Sequence, residues 1–203
     1  VTAHGLAKAA EILTGKFTLV ATNVPYLGRA DQCELLQEWS TKNSANGKGD
    51  ISTTFLDRLF GFGAQIPATV SVVSPHEWWF LKSFTRFREQ MLTKSKWRLA
   101  ATLGEEAWVT YGARGPKATL LLFDTHVSTG RERFGIVDAL PSPLISGKID
   151  VLRNGEIWWS NQSDQKDNPD SRITNEGFTG GRLLSEYASS LQGISTADSP
   201  RFA

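Results

Sequence analysis

Asn23-Val24-Pro25-Tyr26 is the stretch of this sequence whose residue types and order could do chemistry. It follows an apolar run, Phe17-Thr18-Leu19-Val20-Ala21-Thr22, that reads as a buried strand. An asparagine at a strand's carboxyl end offers an amide oxygen as acceptor, a proline stiffens the turn, and a tyrosine offers a flat ring. Together they could grip an exocyclic amino group and stack the base that carries it. An adenine amino group is a poor nucleophile because its lone pair is delocalised into the ring. Two acceptors aimed at its hydrogens, the Asn23 side-chain oxygen and the Val24 carbonyl, would favour a more tetrahedral nitrogen. That nitrogen could attack a sulfonium methyl in line. Stacking on Tyr26 would contribute about 1–3 kcal/mol, and a base inside a duplex would first have to be flipped out. Such chemistry needs neither a metal nor a general base of strongly shifted pKa. On the tetrapeptide alone, a plain strand-to-loop turn with a packed tyrosine is an equal reading.

The elements around it follow from periodicity. Ala3 to Leu13 has the spacing of an amphipathic helix closed by Thr14-Gly15. Gln32 to Ser40 has helical spacing, and Asp50 and Ser52 are candidate N-caps for a helix through Leu59 and Phe60. Ala68 to Val73 reads as a second buried strand, and Glu77 to Met91 as one helix with Trp78, Leu81, Phe84, Phe87 and Met91 inward. Arg98 to Leu103 and Thr119 to Phe123 read as further strands. This alternation predicts an α/β fold with a largely parallel, doubly wound sheet. Ligands of such sheets sit beyond the carboxyl ends of the strands, where Asn23 and Ser74-Pro75 both fall. Residues 125 to 181 change character, with frequent Gly, Asp, Asn, Ser and Pro; turns, short strands and a bridging segment are expected there. A last helix is expected from about Arg182 to Leu191.

Composition narrows the classes. A chain of 203 residues can bury a real core. The net charge of +1 points to no nucleic-acid partner in bulk, so any such partner must be read from local charge. Cys33 is the single cysteine, which leaves no disulfide framework or zinc cluster and makes a reducing cytoplasm the simplest setting. No apolar run approaches the roughly 20 residues of a membrane span, so no membrane partner is expected.

From about Leu6 to Phe202 the chain resembles the catalytic region of large adenine-specific DNA methyltransferases, the type IIG restriction–modification and phage-exclusion enzymes. The resembling stretches are Ala21 to Gly28, Gly49-Asp50 opening a helix, Val72 to Pro75, Trp79 to Phe84, Leu103-Gly104 with Ala107-Trp108, and Leu183 to Tyr187 with Gln192-Gly193-Ile194. The resemblance implies a Rossmann-like class I methyltransferase fold, S-adenosyl-L-methionine as methyl donor, and double-stranded DNA as partner. It places the target adenine on Asn23, Val24, Pro25 and Tyr26, with Trp108 lining the base pocket. Residues 1–135 would be the C-terminal half of the catalytic domain, the second half of the doubly wound sheet. Residues 136–203 would be a bridging segment and the start of a target-recognition domain. Magnesium would be needed only by a nuclease fused elsewhere.

Two departures stand out. The family's first proline is Val24 here, which should cost only turn rigidity because the carbonyl is what would be used. The family's glycine-rich donor loop lies well ahead of the tetrapeptide, and no residue before Asn23 forms one. Gly61-Phe62-Gly63 follows a helix and Gly112-Ala113-Arg114-Gly115 precedes a strand, both the wrong context. The chain is therefore expected to be an internal fragment that holds the acceptor half of a methyl transfer and is inactive alone. The rival readings are a degenerate module that binds DNA or partner subunits without turnover, and a methyltransferase acting on RNA adenine or protein glutamine.

Other residues have plainer readings. Lys82, Arg86, Arg88, Lys94, Lys96 and Arg98 make a basic stretch in which Lys82 and Arg86 are the candidates for DNA phosphate contact; a solvated helix face competes. Trp78-Trp79 and Trp158-Trp159 are expected to be mostly core. His4, His76 and His126 have no ligand-spaced partners and read as structural.

Overall fold

The computed structural model describes residues 2–63, 67–107, 116–175 and 180–189. Helix α1 (Ala3–Thr14) starts where the Thr2 hydroxyl accepts from the Gly5 N–H and stops at Gly15. Strand β1 (Leu19–Asn23) follows, then α2 (Glu34–Asn43) and α3 (Ile51–Leu59). Next come β2 (Thr69–Pro75), α4 (Thr85–Lys94), β3 (Lys96–Gly104) and β4 (Ala118–Asp124). Strand β5 (Arg133–Asp138), α5 (Ile145–Asn154), β6 (Trp158–Asn161) and α6 (Gln162–Asp167) complete the set. No helix among the described residues is long and apolar enough to cross a membrane.

The strands form one sheet in the order β1-β2-β4-β3-β5-β6. Pairs β1/β2 and β3/β5 are parallel, while β4 runs antiparallel to both its neighbours and β6 antiparallel to β5. The sheet is thus mixed rather than largely parallel. β4 lies beside β3, its predecessor in the chain, and which way a returning strand runs is set by its connection rather than by its own residues. The unbroken apolar run of β4 reports burial, not direction. The sheet also continues past residue 135, because β5 spans Arg133–Asp138 and β6 pairs with it.

One face of the sheet holds the main core. Val70 and Val72 of β2, Leu121 and Phe123 of β4, Trp97 of β3, and Phe134 and Ile136 of β5 meet Leu56, Leu59, Phe87 and Met91 from α3 and α4. Trp78 and Trp79 are both buried in this cluster. The other face is covered by α5, where Val151 packs near Leu103, Ala118 and Ala139. Strand β1 is not the buried strand its composition suggests: Leu19, Ala21 and Asn23 are exposed and its other two residues half-buried. Among the described residues it pairs on one edge only.

Three further segments depart from periodicity. Residues 77–91 do not form one helix; short 3-10 turns at Glu77–Trp79 and Lys82–Phe84 precede α4. The carbonyls that would continue a helix are taken by tertiary partners: the Arg88 guanidinium bonds the Trp78 and Leu81 carbonyls, and the Ile173 N–H bonds that of Trp79. Ile149 to Leu152, expected within turns and short strands, lies inside α5. Of the helix expected from Arg182, the described residues contain only a 3-10 turn, Leu184–Glu186.

Candidate nucleobase site

The tetrapeptide stands where β1 ends. Asn23 pairs with Val73 as the last residue of the parallel register, and the Val24 N–H extends that ladder to the Val73 carbonyl at 3.2 Å. The Val24 side chain turns into the main core and is 3% exposed. Pro25 is exposed, and Tyr26 is half-buried against the core. From there the loop is stitched to the segment ahead of α3. The Leu27 carbonyl accepts from the Ile51 N–H at 3.0 Å and from Gln32 Nε2 at 2.9 Å, and the Arg29 N–H donates to the Gly49 carbonyl at 3.0 Å. Asp50 caps α3 by accepting from the Ser52 N–H at 2.7 Å. Gly49 is needed because the Phe84 ring lies against it; a Cβ there would sit 2.9 Å from a ring carbon.

A cavity of about 440 Å³ opens beside this loop, lined by Tyr26, Gly49, Asp50, Glu77, Trp78, Leu81 and Phe84 among others. That volume lies within the range of small-ligand pockets. Ser52, fully buried, also lines it, and its hydroxyl has no hydrogen-bond partner among the described residues. Trp78 is held in place by an indole N–H bond to the Ser74 hydroxyl at 3.0 Å. Among the described residues, the charged groups on the lining, Asp31, Asp50 and Glu77, are all carboxylates. Burial, with Glu77 and Asp50 adding to it, pushes the Tyr26 phenol up to about 12, so it stays neutral at physiological pH. An acidic, aromatic lining disfavours phosphate and suits a neutral ring bearing an amino group.

Of the four tetrapeptide residues only Tyr26 lines the cavity; Asn23 sits exposed at the strand end. Trp108 lies outside the described residues. Lys82 and Arg86 are exposed, Lys82 between the lining residues Leu81 and Phe84. The basic stretch is not one stripe: Arg88 is fully buried, and Arg98 pairs with Asp124 at 2.7 Å. Trp78 and Trp79 are core, whereas Trp158 and Trp159 are exposed on β6. His76 is buried against the rings of Trp79 and Phe80. Sequence reasoning misses the lining carboxylates Asp31, Asp50 and Glu77. Gly49-Asp50 reads as a helix start, but nothing local shows that this turn faces Tyr26.

The described residues offer no fit for a methyl donor. No glycine-rich loop follows a strand among them, and the end of β1 carries the tetrapeptide instead.

No protein-family model matches the chain. It is 28% identical over 118 residues to an adenine-specific methyltransferase PglX of Lacticaseibacillus casei (strain Zhang), a match that covers 57% of this chain and 10% of that protein. Its fold is similar to that of a chain in a solved type I R-M system, with a TM-score of 0.58, 15% identity, and coverage of 87% of this chain and 42% of the other. It is also similar to a chain of the DrdV–DNA complex, with a TM-score of 0.54, 14% identity, and coverage of 79% and 18%. The chain therefore spans about a tenth of the curated relative and less than half of these solved chains. The fold is mixed α/β and Rossmann-like, and it is shared with chains of a solved type I R-M system and of the DrdV–DNA complex.

Proposed function

We propose that this chain carries the acceptor half of a site-specific adenine-N6 DNA methyltransferase of the restriction–modification or phage-exclusion kind. The observation that carries this reading is the placement of Asn23-Val24-Pro25-Tyr26 at the carboxyl end of β1, with Tyr26 on the wall of an acid-lined cavity. The similarity to an adenine-specific methyltransferase supports it. Residues 1–135 would form the C-terminal half of the catalytic domain. Residues 136–203 would bridge towards target recognition while lending β6 to the sheet.

Each residue has a role in this reading. A flipped adenine stacks on Tyr26, and the resemblance gives Trp108, outside the described residues, the role of lining the base pocket. The Asn23 side-chain oxygen and the Val24 carbonyl accept hydrogen bonds from the two amino hydrogens and localise the nitrogen lone pair. Pro25 sets the turn between those acceptors and the ring. Lys82 and Arg86, both exposed, contact phosphates of double-stranded DNA. S-adenosyl-L-methionine would supply an electrophilic methyl when bound. No metal is required for this transfer. The setting would be the cytoplasm.

The deciding experiment uses Asn23→Ala in the protein that carries this chain. Loss of one preorganised hydrogen-bonding group at a reacting centre costs about 100-fold or more in rate. Adenine methylation should fall by that factor while donor binding is retained. Undiminished methylation would remove Asn23 from the chemistry. Methylation of RNA or of protein glutamine in place of DNA would redirect the substrate, and binding of DNA without any turnover would mark a degenerate module.

A further inference from the structure

Arg88 is fully buried, and each of its five N–H groups has an acceptor. Nη1 donates to the carbonyls of Trp78 at 2.7 Å and Leu81 at 2.8 Å. Nε and Nη2 donate to the Asp170 carbonyl at 3.1 and 2.7 Å, and Nη2 also reaches the Thr85 hydroxyl at 3.2 Å. Its hydrogen bonds thus go to carbonyls and a hydroxyl rather than to a carboxylate. Trp78 and Leu81 belong to the cavity wall; Asp170 lies far along the chain, after α6.

The segment around Asp170 is built to present that carbonyl. Asp170 and Ser171 both adopt the left-handed conformation, at φ 56° and 51°. Side chains lock the bend: Asn168 Nδ2 donates to the Arg172 carbonyl at 2.8 Å, and the Ser171 hydroxyl to the Lys166 carbonyl at 2.9 Å. Ile173 then enters the main core, and its N–H bonds the Trp79 carbonyl at 3.1 Å. Two stitches therefore join residues 168–174 to the loop that faces Tyr26.

We infer that Arg88 is a positioning residue that clasps the cavity wall at Trp78 and Leu81 to the 168–174 segment, so that the wall keeps its shape only while that segment is docked. The inference deepens the adenine-pocket reading and rests on it for its functional consequence. A planar fork is required, because a lysine ammonium cannot reach acceptors spread over both segments at once. Burial pulls the guanidinium down to about 10, so it stays charged at neutral pH. The clasp also gives the bridging segment, on the recognition side of the chain, a direct mechanical hold on the base pocket.

The test compares Arg88→Lys, Asp170→Val and Asp170→Gly in the protein that carries this chain. Valine resists the left-handed conformation and should displace the carbonyl, whereas glycine accepts it and keeps the carbonyl in place. Amide exchange over residues 77–84 should accelerate about tenfold or more in Arg88→Lys and Asp170→Val, but not in Asp170→Gly. A duplex with 2-aminopurine at the target adenine should lose its flipping-dependent emission in the first two variants. Its binding constant should change less than about threefold, because the phosphate contacts are untouched. Unchanged exchange over 77–84 overturns the clasp, and so does an acceleration spread evenly over the molecule. If Arg88→Lys fails to fold, the contrast between the two Asp170 variants decides the question alone. Faster local exchange with no aminopurine signal in the wild type would leave the clasp standing and reject the adenine pocket.

Discussion

Val24 stands where the motif that the tetrapeptide resembles has a proline. Its N–H bonds to the Val73 carbonyl and its side chain fills the main core. A proline would lack that donor, so here the ladder holds the turn that a ring would otherwise stiffen. His76 makes a different residue-scale point. Burial first, and then Lys117, pull its imidazole down to about 4 from 6.5, against Asp138. Between those values the unfolded chain binds a proton that the folded chain refuses. The stability tied to this site is therefore complete above about pH 6.5 and is lost as pH falls towards 4. Glu132 adds to acid sensitivity only lower down: although burial opposes its ionisation, bonds from Thr129 and Ser128 hold its carboxyl at about 2. The thermal midpoint should decline from pH 6.5 to 4, and less steeply in His76→Phe. Parallel declines in the two proteins would remove His76 as the cause.

At the scale of elements, the Gln162 side-chain amide ties the start of α6 to the end of α4 and the start of β3. Gln162 Nε2 donates to the Leu92 carbonyl at 2.6 Å and the Ser95 carbonyl at 2.7 Å, and its Oε1 accepts from the Trp97 N–H at 3.0 Å. The side chain is 1% exposed, so water cannot replace these bonds easily. Gln162→Leu leaves two carbonyls and an N–H unpaired in the interior. At about 1 kcal/mol or more each, the loss should reach about 3 kcal/mol. Urea unfolding at an unchanged slope would measure it; a loss below about 1 kcal/mol would show that the neighbouring backbone finds other partners. The same reasoning explains the broken helix at 77–84, where side-chain and tertiary donors take the Trp78 and Trp79 carbonyls from the helical ladder.

The whole molecule is unevenly covered. Helix α1 has no buried residue, and Leu6, Ile12 and Leu13 on it are more than half exposed. Leu19 of β1 is likewise 64% exposed, on a strand that pairs, among the described residues, on one edge. An open edge with apolar neighbours templates association. The 203-residue chain expressed alone should self-associate with rising concentration in sedimentation experiments, and Leu19→Lys should reduce this. A monomer at all concentrations would show that this face is tolerated in water.

What the sequence determined by itself were the features that local physics sets. Alternating strand and helix patterns told the α/β class, Asp50 announced α3, and the order of Asn, Pro and Tyr after an apolar run marked the strand end where the tetrapeptide sits. Strand direction, the breaking of 77–91, and the exposure of β1 depend on which groups meet across long separations, and periodicity carries no record of that. So does the cavity: Asp50, Glu77, Trp78 and Phe84 reach Tyr26 only because β1 and β2 lie side by side and the loops after them converge. The clearest case is Arg88, one cation in a basic run by sequence. Tertiary structure takes it out of solvent and ties it to Asp170, because only folding brings those carbonyls within reach of one guanidinium.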